Sequence, residues 1–135
     1  MIISPAFAGK RYAILGLARS GMAVLDSLHA SGAELLAWDN REELRDSVAE
    51  ALDHPAARKS LETDLTGYDA IVVSPGVPLN SHPIALKAKT DRVPIIGDIE
   101  LFAQARSSLP SHRVVGITGT NGKSTTTALV HHILE

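Results

Sequence analysis

The 135-residue sequence contains no cysteine, which excludes a disulfide framework and a thiolate metal site. Its six histidines are scattered without the paired spacing of metal ligands, so we expect no zinc site. No apolar run approaches the ~20 residues that cross a bilayer. Residues 1–5 lack the basic start and long apolar core of a signal peptide. We therefore predict a cytoplasmic protein without a membrane partner.

An excess of charge of one sign is also missing. Thirteen Lys and Arg residues against 15 Asp and Glu residues give a net charge of −2. Nothing in this balance indicates the basic field that attracts nucleic acid, and we expect no such partner. The chain is 44% hydrophobic, which is typical of a globular protein.

Short apolar runs alternate with helix-like segments along the first hundred residues, without hairpin turns between them. This alternation predicts an α/β fold, namely a Rossmann-like doubly wound parallel sheet. The continuous apolar character of the runs fits strands that are covered on both faces. Predicted strands are residues 11–16, 34–38, 69–74 and 93–96, and predicted helices are residues 20–30, 42–52, 83–89 and 98–106.

A glycine-containing turn, residues 16–21, joins the first strand to the first helix. Asp39 ends the second strand, as the acidic residue of a dinucleotide-binding unit does. The second glycine of that pattern is Ala18 here, which weakens a reading as an NAD or FAD site without excluding a diphosphate ligand. Ser20 is placed either to cap the helix or to contact phosphate. The alternative is a structural turn that binds no ligand.

A second turn, residues 74–76, leaves the carboxyl end of the third strand. Ligands of parallel sheets gather at such strand ends. We therefore expect residues 74–76, the 16–21 turn and residues 39–41 to converge on one crevice. Trp38 has two interpretations, as a ring that stacks on a base or as part of the core.

A glycine-rich loop with a Lys-Ser pair occupies residues 118–125, between an apolar run (residues 114–117) and a helix-like stretch (residues 126–134). Strand, loop and helix in this order favour a variant P-loop, which holds nucleotide phosphates through backbone N–H groups. Lys123 would reach the terminal phosphates and Ser124 would ligate Mg²⁺. The alternative is a simple turn with a solvated lysine. We place a domain of residues 1–107 before the start of a second, P-loop ATPase domain at residues 108–135, which the chain enters only in part.

Three segments resemble the Mur ligases of bacterial peptidoglycan synthesis. Residues 118–125 are similar to the family's ATP loop. Residues 74–78, followed by His82 and Pro83, resemble the segment around its uridine diphosphate pocket. Residues 94–102 resemble the D-glutamate-adding member more than its relatives. The resemblance covers the whole chain and corresponds to the N-terminal third of such an enzyme.

This resemblance implies an ATP- and Mg²⁺-dependent ligase that joins D-glutamate to UDP-N-acetylmuramoyl-L-alanine through an acyl phosphate. We expect the complete enzyme to be a monomer, and the present chain to bind the uridine diphosphate part but to be inactive alone. The uridine diphosphate contacts would be Arg19, Ser20, Asp39, Asn40, Arg41, Ser74, Pro75 and Gly76. The ATP contacts would be Gly119, Thr120, Asn121, Gly122, Lys123, Ser124 and Thr125, with Lys123 as the catalytic charge and Ser124 as the metal ligand.

Two other classes of function remain as alternatives. One is an NAD-binding domain of an oxidoreductase, and the other is a P-loop nucleotide-binding regulatory module. Residues 112–135 raise a separate expectation, because an apolar strand without neighbours is a template for pairing with another chain. We expect this segment to be disordered or to associate with a second copy.

Overall fold

The computed structural model describes residues 1–51 and 63–134. Four strands and five helices form this part of the chain. The strands are β1 (Arg11–Leu15), β2 (Glu34–Trp38), β3 (Ala70–Val73) and β4 (Ile95–Ile96), and the helices are α1 (Arg19–Ala30), α2 (Glu42–Ala51), α3 (Ile84–Asp91), α4 (Asp98–Ala105) and α5 (Lys123–Leu134). Each predicted element of the first hundred residues is confirmed in type. The predicted end of the second helix, at residue 52, lies outside the described residues.

The strands form one parallel sheet in the order β2-β1-β3-β4. The chain passes from β1 outward to β2 and then returns across β1 to β3. Strand order therefore reverses between β1 and β3, and the crevice outside the carboxyl ends of those strands is where such folds bind ligands.

Both faces of the sheet are covered, as the unbroken apolar strands predict. Alternate residues of β1 point to opposite faces, so Tyr12 and Ile14 join one buried cluster while Ala13 and Leu15 join the other. The first cluster includes side chains of α1 and α4, and the second includes side chains of α3. The sheet is thus held rigidly between two layers, and its strand ends present a fixed frame.

A network of serine hydroxyl groups closes the domain near its N-terminus. Ser4 is fully buried, and its Oγ lies 2.6 Å from Ser108 Oγ. The Ser4 N–H donates to Ser31 Oγ at 3.0 Å. The network joins the N-terminal 3₁₀ turn to the end of α1 and to the 3₁₀ turn (Arg106–Ser108) that follows α4. We call residues 1–51 and 63–108 the body.

The last described segment, residues 112–134, differs from the body, and we call it the arm. Its helix α5 forms, but the predicted strand at residues 114–117 does not. This prediction was wrong because a strand needs neighbouring backbone groups to bond with. The described strands provide none here, since β2 and β4 form the sheet edges and neither pairs with these residues. Across the described ranges, no helix has the length and apolar character needed to cross a membrane.

Candidate functional site

A cleft of about 320 Å³ opens at the carboxyl ends of β1, β2 and β3. It lies beside the point where strand order reverses, as the fold rule requires. The expected convergence on one crevice is confirmed for residues 39–41 and for part of the turns at residues 16–21 and 74–76. The lining residues are Leu15 at the end of β1, Gly16 and Ala18 after it, Asp39, Asn40 and Arg41 after β2, and Ser74, Gly76, Val77, Pro78 and His82 after β3.

Two of these turns are in direct contact. Gly16 has a φ of +93°, a conformation that side chains rarely adopt, and a Cβ there would lie 2.9 Å from Ser74 Cβ. The absence of a side chain lets Ser74 Oγ donate to Gly16 O at 2.8 Å. The glycine thus joins the β1 turn to the β3 turn and fixes the floor of the cleft.

At Gly21 there is no room for a side chain. A Cβ at this position would lie 1.7 Å from Gly16 O, closer than any real contact. The first turn of α1 therefore packs directly against the end of β1. This is the role of the last glycine in a nucleotide-binding turn.

The amino end of α1 carries no side-chain cap. Its N-cap residue is Ala18, which makes no capping hydrogen bond and lines the cleft. Of the two interpretations of Ser20, the helix cap is therefore wrong, since Ser20 is the second residue of α1. The first N–H groups of a helix have no intrahelical partners, and its dipole favours negative charge there. This end of the cleft suits an anion such as a phosphate.

Asp39 is buried and fully bonded at the other side of the cleft. Oδ2 accepts from Leu17 N–H at 2.8 Å and from the Arg41 guanidinium at 3.2 Å, while Oδ1 accepts from Arg41 N–H at 3.0 Å and from its Nε at 3.1 Å. These four bonds fill the acceptor capacity of a carboxylate. The hydrogen bonds from the Arg41 side chain are the main reason that the pKa of Asp39 falls from 3.8 to about 2.

Trp38 has a structural role beside this pair. The guanidinium of Arg45 lies 4.4 Å from the centroid of its ring, and Arg45 also donates to Asp39 O at 2.7 Å. The half-buried ring packs against the second core cluster and is not part of the cleft lining. The interpretation of Trp38 as core is therefore supported over stacking on a base.

The structure distributes the eight predicted uridine diphosphate contacts over three places. Five line the cleft, namely Asp39, Asn40, Arg41, Ser74 and Gly76. Arg19 and Ser20 instead line a mainly apolar cavity of about 340 Å³ between α1, α4 and the N-terminal turn. Pro75 lies with Ser20 at a narrow gap between α1 and β3.

Sequence reasoning missed His82 as a candidate site residue. It lies in the turn between β3 and α3, and its half-buried ring lines the cleft. The available signal was its position in the segment of residues 74–83. A lone histidine without a paired ligand carries little information, so topology was needed to place it in the same cleft as Asp39 and Arg41.

Residues 118–122 of the predicted P-loop form an exposed loop in front of α5, and residues 123–125 are the first turn of that helix. Gly119 and Gly122 have φ values of +149° and +74°, which glycine adopts readily. Lys123 begins α5, and its Nζ donates to Gly119 O at 2.5 Å. The lysine therefore holds the loop closed on itself. Loop and helix are formed, whereas the strand that would fix their position is not.

The donor set of this loop fits a polyphosphate better than it fits a bare metal ion. Glycine backbone groups, a helix N-terminus and Lys123 all suit phosphate oxygens. Ser124 would supply a single hydroxyl oxygen to Mg²⁺. Over residues 1–51 and 63–134, no group of three or more His, Asp or Glu side chains could hold a metal ion.

The fold and the cleft define a parallel α/β domain of the kind that binds nucleotides at its strand ends. The family model described as "Mur ligase MurD-like, N-terminal domain" matches residues 10–97. The chain therefore belongs to the MurD-like Mur ligase family.

Close relatives agree with this assignment. The UDP-N-acetylmuramoylalanine–D-glutamate ligases of Novosphingobium aromaticivorans, Sphingopyxis alaskensis and Zymomonas mobilis are 65%, 64% and 56% identical to it. These matches cover 98–100% of the chain. The chain spans 29–33% of the length of these relatives.

Proposed function

We propose that this chain is the N-terminal part of an ATP-dependent ligase that adds D-glutamate to UDP-N-acetylmuramoyl-L-alanine in peptidoglycan synthesis. In the complete protein, ATP phosphorylates the substrate carboxylate, and the amine of D-glutamate attacks the resulting acyl phosphate and displaces phosphate. The body binds the uridine diphosphate part of the substrate. The names of the relatives support this proposal. We infer that the complete enzyme acts in the cytoplasm.

One observation carries the proposal, namely the placement of an uncapped helix N-terminus opposite a buried carboxylate that is paired with an exposed guanidinium. The Ala18 end of α1 offers free N–H groups to phosphate oxygens. Asn40 and Arg41 lie across the same cleft and offer polar groups to a nucleoside, while the fully bonded Asp39 holds Arg41 in place. A ligand with a diphosphate at one end and a hydrogen-bonding base at the other is complementary to this arrangement.

Asp39 also distinguishes between the candidate ligands. In a dinucleotide-binding domain the acidic residue accepts from ribose hydroxyl groups. Here all four acceptor positions of Asp39 are filled by Leu17 and Arg41. This favours a uridine diphosphate ligand over the oxidoreductase alternative, and the P-loop after the body points the same way.

Residues 119–125 contribute the ATP site of the complete enzyme. ATP supplies the phosphoryl group, and this loop orients its phosphates while Lys123 balances their charge. Ser124 would provide one ligand to a magnesium ion, which would neutralise charge on the ATP phosphates. Because catalysis needs all these groups positioned together, we expect no turnover from the present chain alone.

Isothermal titration tests the body's ligand. We expect UDP-N-acetylmuramoyl-L-alanine to bind more tightly than NAD⁺, and tighter binding of NAD⁺ would overturn the proposal. Arg41→Ala should weaken substrate binding about tenfold, because a charged hydrogen-bond donor is lost from the cleft. Arg11→Ala is the matched control, since Arg11 lies at the opposite, amino end of β1 and pairs with Glu34 at 3.4 Å. Equal losses in both variants would indicate a general effect of charge.

A further inference from the structure

His82 is held in the cleft by three hydrogen bonds to the backbone. Its N–H donates to Pro78 O at 3.0 Å, and its carbonyl accepts from Ala85 N–H at 3.3 Å. Its ring Nδ1 accepts from Ile84 N–H at 3.1 Å. Ile84 is the first residue of α3, so the imidazole caps a helix whose N-cap residue, Pro83, makes no capping bond.

This cap fixes the tautomer of the ring. A nitrogen that accepts from an N–H group carries no proton, so the proton of the neutral imidazole lies on Nε2. The described residues provide no hydrogen-bond partner for Nε2, and the half-buried ring lines the cleft. His82 therefore presents one N–H donor in a fixed orientation.

The surroundings of the ring indicate which ligand group would accept this bond. The other cleft-lining residues after β3 are Ser74, Gly76, Val77 and Pro78, and Ser74 Oγ already donates to Gly16 O. Among these described residues, His82 is thus the side chain that offers a free N–H. Since β3 pairs with β1, the turn borders the amino end of α1, where a phosphate is favoured.

We propose that His82 is a specificity-determining contact of the cleft, in which Nε2–H donates to a diphosphate oxygen of the ligand while Nδ1 caps α3. This inference rests on the proposed uridine diphosphate site. It divides the two ring nitrogens between two tasks, binding and folding, which can be separated by substitution.

Asparagine and glutamine separate the two tasks. His82→Asn places an amide oxygen near the position of Nδ1 and nothing at Nε2, so it keeps the cap and loses the donor. His82→Gln places an amide N–H near Nε2 and leaves Nδ1 empty, so it keeps the donor and loses the cap. The two variants are therefore matched controls for each other.

Titration of the 135-residue chain with UDP, together with thermal melting, measures both tasks. We expect His82→Asn to melt within about 2 °C of the wild type and to bind UDP roughly tenfold more weakly, the loss of one hydrogen bond to a charged group. We expect His82→Gln to melt lower but to bind UDP within about threefold of the wild type. The reverse pattern, or equal affinities in all three proteins, overturns the inference.

Nuclear magnetic resonance of the wild-type ring gives a test that does not depend on how the variants fold. The Nε2 signal of His82 should show a protonated nitrogen and should shift on addition of inorganic pyrophosphate, with a smaller shift on addition of uridine. A protonated Nδ1 in the neutral ring, or a response to uridine alone, contradicts the assignment. Absence of any UDP binding by the wild type instead contradicts the proposed function itself.

Discussion

Two apolar segments of similar composition differ in structure: one forms a buried strand, and the other is exposed and forms no strand. Val72 lies in β3 of the body and is 2% exposed, whereas Val115 lies in the arm and is 69% exposed. Both segments have the apolar pattern of a buried strand, but only β3 has neighbouring strands, since it pairs with β1 and β4. The arm nevertheless forms α5, because a helix satisfies its hydrogen bonds internally. Local pattern is therefore enough to predict a helix, whereas a strand also requires partners.

The largest expected contrast comes from adding one methyl group to a glycine in each region. Gly21→Ala should destabilise the protein by about 3 kcal/mol or more, because its Cβ would overlap Gly16 O and the helix must move. Gly116→Ala in the arm should change stability by less than ~0.5 kcal/mol, because nothing lies within 4 Å of its Cβ position. Urea denaturation of both variants measures the difference. Similar costs at the two sites would show that the arm is packed as closely as the body.

Replacing a valine by alanine in each region should give a smaller difference in stability between the body and the arm. Val72→Ala should cost about 2 kcal/mol, from lost burial and the cavity that remains. Val115→Ala should cost less than ~0.5 kcal/mol, since most of this side chain is already in water. Chemical denaturation again provides the measurement. A cost above about 1 kcal/mol at Val115 would mean that the segment is buried in solution, by the body or by a second copy.

A change of pH sharpens the description of the cleft within the body. The pKa of Asp39 falls from 3.8 to about 2 on folding, mainly through hydrogen bonds from Arg41. The ionised carboxylate therefore stabilises the fold above about pH 4, and this contribution is lost as the pH falls from about 4 to 2. Because the Arg41 side chain is 57% exposed, we expect only about 1–2 kcal/mol from the pair.

Comparison with Asp39→Asn isolates this contribution. We expect the wild type to have the larger free energy of unfolding at pH 7. The two free energies should become equal as the pH falls to 2. Asp26→Asn is the matched control for the loss of one negative charge, since Asp26 lies on the exposed side of α1. A constant gap between wild type and Asp39→Asn at all pH values would contradict the assigned ionisation.

Much of the body could be predicted from sequence, because its elements carry local signals. Alternating apolar runs located each strand, and residues 74–76 and 39–41 were placed at the cleft by the rule that parallel strand ends meet. Arg19 and Ser20 show the limit of this reasoning. Both begin α1, but the direction of a side chain around a helix depends on the packing of α4 and the N-terminal turn, which the sequence does not specify. His82 was missed for a related reason, since its neighbours across the cleft follow β2, far away along the chain.

The smallest expected effect comes from removing the arm altogether. The Ser4–Ser108 hydrogen bond closes the body before the arm begins, and residues 112–134 are exposed except for partial burial at Ile117 and Val130. A protein of residues 1–111 should therefore unfold with a free energy within ~0.5 kcal/mol of the 135-residue chain. Light scattering should report any self-association only in the longer chain, because Val114 and Val115 offer an unpaired apolar segment. Strong amide protection at residues 114–117 in a monomer would show that the arm packs on its own body, and the contrast between the two regions would then fail.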